Sequence, residues 1–379
     1  MTNLRSTSSV SNITSDQKVV QMDEHVWDWE PEVAPFLKLL TLSSSGKKGV
    51  EGTHFYHLEQ QRLAVTTTTT ATHTSSVTTL KLTATDFLQP NDVIKNADTD
   101  ENMLVLTIVS SASITVTRGW GEVSGTAMAS GDDIIKLGPA YADGADKNTP
   151  LQRLLDTGYN VIQNFRKESG LDWNTDGTKM YSGSERERLR KDAMRELKRQ
   201  MEHQFLFGQL KVGGTNNSPQ RQTRGLKYFI STNVHNIAGA LTEPTFLGHL
   251  EGDFRNGSKK KVLLASARFI TAMASWGLNR MRGNEAMTKT LGIEISDYIS
   301  PFGQLSVGWH HLLEGPYAGT AFLVDPDNVR YTYQKGYDFQ MRPNIQNPGE
   351  HKYIDEFYAY AGLDMMVEKA HAYYYGVTG

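Results

Sequence analysis

The sequence predicts an α+β protein in which a small all-β domain interrupts a larger mixed one. Three observations predict it. A long, charged, unbroken helix begins at Ser184 and runs to about Leu210. A block of short β runs separated by turn residues fills 76–140. After the helix, a helix–strand–helix order gives way to closing β runs.

The helix is the best-defined element. Ser184 and Glu187 have capping-box spacing, in which hydroxyl and carboxylate satisfy amide groups at a helix start. No Pro or Gly follows until Gly208, and strong helix formers dominate. At about 1.5 Å per residue it should span roughly 35–40 Å. Leu189, Ala193, Leu197, Met201 and Phe205 step by four, so one narrow seam is buried and the rest carries ions.

The totals set limits. A chain of 379 residues has room for two or three domains, and a net charge of −3 gives no reason to expect nucleic-acid or membrane binding. The absence of cysteine excludes disulfides, thiolate catalysis and thiolate metal sites, and it fits a reducing compartment. The polar start MTNLRSTSSVSNITSDQ has no apolar core, so no signal peptide is expected. No apolar run approaches the roughly 20 residues of a membrane span.

Taken in order, 1–40 read as an extended arm carrying Trp27, Trp29, Pro31 and Pro35. A short apolar segment, Phe36 to Leu42, and a possible strand, THFYHLEQQRLAV, follow. The five threonines at 66–70 fit either a linker or a strand, because Thr is β-branched. The β block contains VTTLKLTA, DVIKN, MLVLTIVS, SITVTRG and DIIKLG, a spacing that predicts a small barrel or sandwich. Tyr159 to Phe165 read as one strand or a helical turn, and LKYFIS as a short strand or turn. Thr242 starts a helix to about Arg255, KVLLA is a buried strand, and Ser266 caps a helix expected to end at Gly283. LGIEISDYI, QLSVGWHHLL, TAFLVDP, NVRYTYQ, KYIDEFYAYAG and DMMVEKAHAYYYGV complete the β content.

No catalytic constellation emerges. There is no Walker A loop, no G-x-S-x-G elbow and no dinucleotide fingerprint, so no cofactor is expected. Asp98, Asp100 and Asn102 begin like a calcium loop, but Met103 and Val109 stand where Gly and Glu are needed. His310, His311 and Glu314 are candidate metal ligands, yet adjacent histidines on a strand point to opposite faces. His54, His57 and Glu59 form a second loose set. Asp172, Asp176, Glu185 and Glu187 are explained by a loop and a helix first turn.

The order of elements, and several segments, resemble the major capsid proteins of tailed phages with the Hong Kong 97-type fold. VTTLKLTA through VTRGWGEVSGTAMASGDDIIKLG is similar to a β domain that some members insert before the spine helix. GSERERLRKDAMRELKRQMEHQFLFG resembles the spine helix, with Glu202, Phe205 and Gly208 at its end. TRGL (Thr223 to Leu226), TFLGHLEGDFRNGSKKKVLLASARFITAMASW and MMVEKAHAYYYGVTG resemble later segments. The resemblance covers about 76–379.

It implies a structural subunit of an icosahedral head rather than an enzyme, located in the virion and assembled in the bacterial cytoplasm. It implies an arm at 1–40, an extended loop region at 41–75 and 141–183, and an inserted β domain at 76–140. A peripheral domain would hold 184–212 and 326–362, and an axial domain 213–325 and 363–379. Expected partners are copies of the chain in pentamers and hexamers, portal, scaffold or decoration proteins, and packaged double-stranded DNA held without sequence reading. No membrane partner is expected. Trp27, Trp29, Phe36, Arg186, Glu187 and Arg190 are the residues expected at contacts between copies. The competing readings are another lattice-forming part, such as a tail tube or surface layer, and a metal-dependent hydrolase built on His310, His311 and Glu314.

Overall fold

The computed structural model describes residues 34–42, 46–60, 62–144, 153, 155–180, 183–215, 218–276, 281–283 and 295–378. Most of the expected arm, with Trp27 and Trp29, lies outside them. The chain forms two units, one from Met1–His57 with Gly158–Gly379, the other from Leu58–Thr157.

The larger unit begins with α1 (Pro35–Leu42) and β1 (Lys47–Val50), and β2 (His54–Gln60) leads to the smaller one. The smaller unit holds β3 (Thr66–Thr68), β4 (Thr79–Lys81), β5 (Asp92–Asn96), β6 (Asn102–Ser110), β7 (Ser113–Thr117) and β8 (Asp133–Pro139). The chain returns through β9 (Leu155–Val161), which pairs with β2. Then come β10 (Gln163–Asp172), α2 (Trp173–Asp176), α3 (Glu185–Phe207), β11 (Lys211–Thr215), β12 (Ser218–Gln222) and α4 (Leu226–Phe229). Next are β13 (Val234–Gly239), α5 (Glu243–Asp253), β14 (Lys260–Ala265), α6 (Ala267–Ala274), β15 (Met281–Gly283) and β16 (Ile295–Ile299). The last strands are β17 (Gln304–Trp309), β18 (Ala321–Val324), β19 (Val329–Gln334), β20 (Gln340–Arg342), β21 (Lys352–Met365) and β22 (Ala372–Val377).

In the smaller unit six strands run in the order β3-β8-β5-β6-β7-β4. The threonine run is a strand, not a linker, and it closes the sheet. A bridge joins Thr69 to Leu82, and Thr70 N–H and Thr83 N–H donate to Lys81 and Thr68 carbonyls. The result is a barrel, with a core that includes Leu80, Leu82, Ile94, Met103, Ile114 and Ile134. Closure leaves no edge strand to template aggregation. One buried ion pair fastens the loop after β7. Arg118 Nε and Nη2 meet Glu101 at 2.8 and 2.7 Å, with side chains 7% and 0% exposed. Arg118 also donates to the carbonyls of Thr74, Val77 and Thr126, and Glu101 accepts from Gly119 and Thr126 N–H. The loop passes so close to Ser75 that a Cβ on Gly125 would sit 2.8 Å from its carbonyl oxygen.

The larger unit is built on two main sheets sharing helices, with a two-stranded ribbon, β11–β12, besides. The Ser184 hydroxyl accepts from Glu187 N–H, and α3 stays helical for 23 residues, about 34 Å. Its seam of Ala193, Leu197, Met201 and Phe205 packs with Phe165 of β10, Tyr331 of β19 and Phe357, Ala359 and Leu363 of β21. These strands form the sheet β1-β19-β21-β10, with β20 added to β21. A seven-stranded mixed sheet, β13-β22-β18-β14-β17-β16-β15, lies beyond. Its central strands are buried on both faces, which is why KVLLA reads as an unbroken apolar run. Val262 and Leu264 join the core around α3, whereas Leu263 and Ala265 join Phe246 and Leu250 of α5 and Phe269 and Met273 of α6.

Several expectations are corrected. The helix after Ser266 ends at Ala274, where Ser275 caps it and Gly277 follows, and Met281–Gly283 pairs with β16 instead. Tyr159 to Phe165 spans parts of two strands rather than one, and LKYF is one helical turn; Phe36–Leu42, to which the sequence assigned no state, is helical. KYIDEFYAYAG runs on as one strand to Met365, since Gly362 lets Val161 O approach where a Cβ would meet it at 2.7 Å. The terminal strand is therefore only Ala372–Val377.

His371, just before β22, is fully buried. Its Nδ1 accepts from Asp325 N–H at 3.2 Å, and its Nε2 donates to Met366 O at 3.3 Å. Only a neutral ring makes both bonds. Burial pushes its pKa down to about 4, opposed by the bond to the Met366 carbonyl and by Asp325 and Glu368, and assisted by Lys261. The unfolded ring titrates near 6.5. Its contribution is therefore complete above about pH 6.5 and is lost as pH falls toward 4, on the order of 3 kcal/mol in all. Urea unfolding at stepped pH should show this loss, and His371→Asn should flatten that part of the profile. In the barrel, Arg118→Met strands the Glu101 carboxylate and should cost about 3–5 kcal/mol. Thermal unfolding followed by fluorescence would register it.

Candidate functional site

An acid near the end of the buried seam of α3 is the least expected residue in the fold. Glu202 lies on the same face of α3 as Phe205 and Leu206, three and four residues on, and is fully buried. Its Oε1 accepts from Phe36 N–H at 2.7 Å, and Oε2 from Leu37 N–H at 2.8 Å. Those amides belong to the first turn of α1, where no intrahelical partner exists and where a negative charge is favoured. Oε1 also meets His310 Nε2 at 2.8 Å. One carboxylate thus caps α1 from another helix and ties both to the turn after β17.

Other buried charges do the same elsewhere. Asp355 on β21 accepts from Arg186 Nε and Nη2 at 2.9 and 2.7 Å, from Arg190 Nε at 2.8 Å and from Asn344 N–H at 3.0 Å. Burial would raise its pKa, but the Arg186 and Arg190 bonds outweigh that and hold it well below the usual carboxylate range. The start of α3 is therefore pinned to the sheet across the whole neutral and mildly acidic range. Asp364 joins His57 to Arg330 at 2.7 and 2.8 Å. Lys261, 1% exposed, donates to the carbonyls of Asp253, Asn256 and Ala370, and burial lowers its pKa to about 8. Enclosed among carbonyls, this amine caps the end of α5 and offers no path to a substrate.

The sequence-derived candidates are distributed accordingly. His310 and His311 fall beyond the end of β17, not on it, and their rings stack at 5.9 Å and 17°. The opposite-faces argument fails because the strand ends at Trp309. His310 Nδ1 is enclosed without a partner, while Glu314 is exposed. His54 is exposed beside Thr53, and His57 is engaged by Asp364. Asp172 caps α2, and Glu185 pairs with Arg188. Among the described residues no three His, Asp or Glu side chains are grouped to hold a metal. Of the residues expected at contacts, Phe36 is fully buried in its own chain because its segment folds as α1. Arg186 and Arg190 are engaged by Asp355, and Glu187 is exposed on the first turn of α3. Sequence reasoning missed Glu202, Asp355, Lys261 and Glu101 as anchors. Only Glu202 carried a signal, its place beside the buried stripe. The arrangement fastens remote segments to one another.

Comparison with known proteins gives concordant findings. The family described as SU10 major capsid protein matches residues 5–378. The chain is 24% identical over 357 residues to the major capsid protein of Pseudomonas phage PaMx41, spanning 87% of this chain and 82% of that protein. Its fold is similar to the capsid of the native GTA particle, with a TM-score of 0.54, 8% identity and 99% and 100% of the two chains covered. It is also similar to the capsid of the cyanophage P-SCSP1u, with a TM-score of 0.52, 8% identity and 96% and 94% covered.

Removing the Glu202 carboxylate leaves two buried amides and His310 without a partner. Glu202→Ala should cost about 3 kcal/mol, and Glu202→Gln, which keeps an acceptor, about 1 kcal/mol. Limited proteolysis should show faster cleavage around α1 in the alanine variant than in the glutamine variant.

Proposed function

Because the chain belongs to the SU10 major capsid protein family, we propose that its parts divide the work of a shell subunit among themselves. It is the major capsid protein of a tailed phage, a structural subunit of the icosahedral head. The observation that carries this is a family match running almost from end to end of the chain.

In the proposed division, 1–40 form an arm that reaches a neighbour, with Trp27 and Trp29 buried there. The regions 41–75 and 141–183 lie over a neighbour's peripheral domain, which holds 184–212 and 326–362. The axial domain, 213–325 and 363–379, gathers at five-fold and six-fold centres. The inserted barrel, expected at 76–140, faces outward, since an independent domain inside takes genome volume. Physical chemistry supports such a plan. A shell repeats each contact many times, so weak individual contacts suffice. The ion pairs along α3, such as Arg188 with Glu185 and Asp192, contribute only about 0–1 kcal/mol each when exposed. Buried anchors such as Asp355 keep the subunit one shape while those contacts form. The mildly acidic chain encloses DNA without reading its sequence. Portal, scaffold or decoration proteins complete the head, and assembly takes place in the host cytoplasm.

Electron microscopy of particles purified from producing cells tests the plan. Closed icosahedral shells with the barrel on the outer surface are expected. Tubes, flat sheets or discrete small particles would overturn the capsid reading, and barrel density on the inner wall would overturn the placement alone.

A further inference from the structure

We propose that the acidic end of the barrel docks on the β11–β12 ribbon of a second copy of this chain. The inference rests on the shell-subunit reading and adds the two surfaces that meet.

From His203 to Thr242 the sequence holds no Asp or Glu, yet it carries Lys211, Arg221, Arg224 and Lys227. The β11–β12 ribbon has only two strands, paired Lys211 with Gln222 and Val212 with Arg221. Most of its residues are exposed, Val212 by 50%. Among the described residues none of the four cations has a carboxylate partner. By contrast, Arg118, Arg186, Arg188, Arg190 and Arg330 are each ion-paired. Arg221 Nε is enclosed with no acceptor. Arg224 and Lys227 lie over the rings of Phe229 and Tyr317 at 5.1 and 5.5 Å, which orients their charges without neutralising them.

The opposite charge is in the barrel unit. Leu58–Thr157 carries 12 acidic and 7 basic residues, a net −5 in a chain of net −3. Asp98, Asp100, Asp132 and Asp133 converge where the β5–β6 turn meets the start of β8. Asp133 N–H donates to Asp98 Oδ2 at 3.1 Å, and Asn96 Nδ2 to Asp132 Oδ2 at 3.0 Å. Lys95, 2.7 Å from Asp100, is the one ion-paired cation there among the described residues. Asp98, Asp100 and Asp133 are exposed. A ring-forming contact between identical copies needs two different, complementary patches on each copy. An uncompensated basic ribbon and an acidic corner in which four carboxylates face one ion-paired lysine meet that requirement, and unlike charge sets both register and encounter rate.

The test uses shells assembled from an equal mixture of ordinary and nitrogen-15 chains. A zero-length carbodiimide should join Lys211 to the Asp98–Asp133 corner in mixed-isotope pairs, and only in shells. Links confined to one chain, or none in intact shells, would overturn the inference and leave the capsid reading untouched. Failure of the unmutated chain to form shells would instead remove that reading. In parallel, Lys211→Glu with Arg221→Glu should lower shell yield at least tenfold, and adding Asp98→Lys with Asp133→Lys should restore it. An unchanged yield overturns the proposal. So does a loss that barrel reversal does not rescue but that accompanies loss of packaged DNA, which would make the ribbon a nucleic-acid contact.

Discussion

The architecture depends on buried carboxylates that are never left alone. Desolvating a carboxylate is expensive, and the expense is offset only by a full set of donors. Glu202 obtains its set from two helix-start amides and one imidazole. Because those donors come from two separate stretches, α1 and the turn after β17, both remote from α3, the carboxylate is satisfied in one global arrangement only. Loose collapse around α3 would bury the apolar seam equally well but would leave this charge unmatched. Specificity of the subunit's shape therefore sits with the polar exceptions in the core as much as with its apolar bulk.

Asp355 and the Arg118–Glu101 pair repeat the principle at different scales. Asp355 gathers two guanidinium groups one helical turn apart, so the start of α3 is fixed in rotation as well as position. Arg118 and Glu101 hold a loop whose backbone has no ladder of its own. A subunit that makes many shallow contacts gains from such internal stiffness, since each contact then costs little ordering entropy.

Local physics made much of this legible. The capping pair at Ser184 and Glu187 marks the start of α3, whereas the helix stops at Phe207, three residues short of the expected Leu210, because Gly208 ends it. β-branched and apolar runs separated by turn clusters located β5, β6, β7 and β8. What stayed hidden depends on distant partners. β10 reads QNFRKESGLD, with only Phe165 and Leu171 buried, and its strand state is set by pairing with β21 along its whole length. The threonines at 66–70 became a strand because β8 and the Leu82 bridge receive them. His310 left its strand because β17 stops at Trp309, a boundary the apolar pattern does not mark. The anchoring roles of Asp355 and Lys261 are invisible in sequence, since an isolated Asp or Lys looks the same whether solvated or enclosed.

The chain enters and leaves the barrel through one pair of adjacent strands, β2 and β9. Such a stem makes the insert a cassette. Excising it would leave a plain hairpin, since the whole barrel lies between β2 and β9 in the chain.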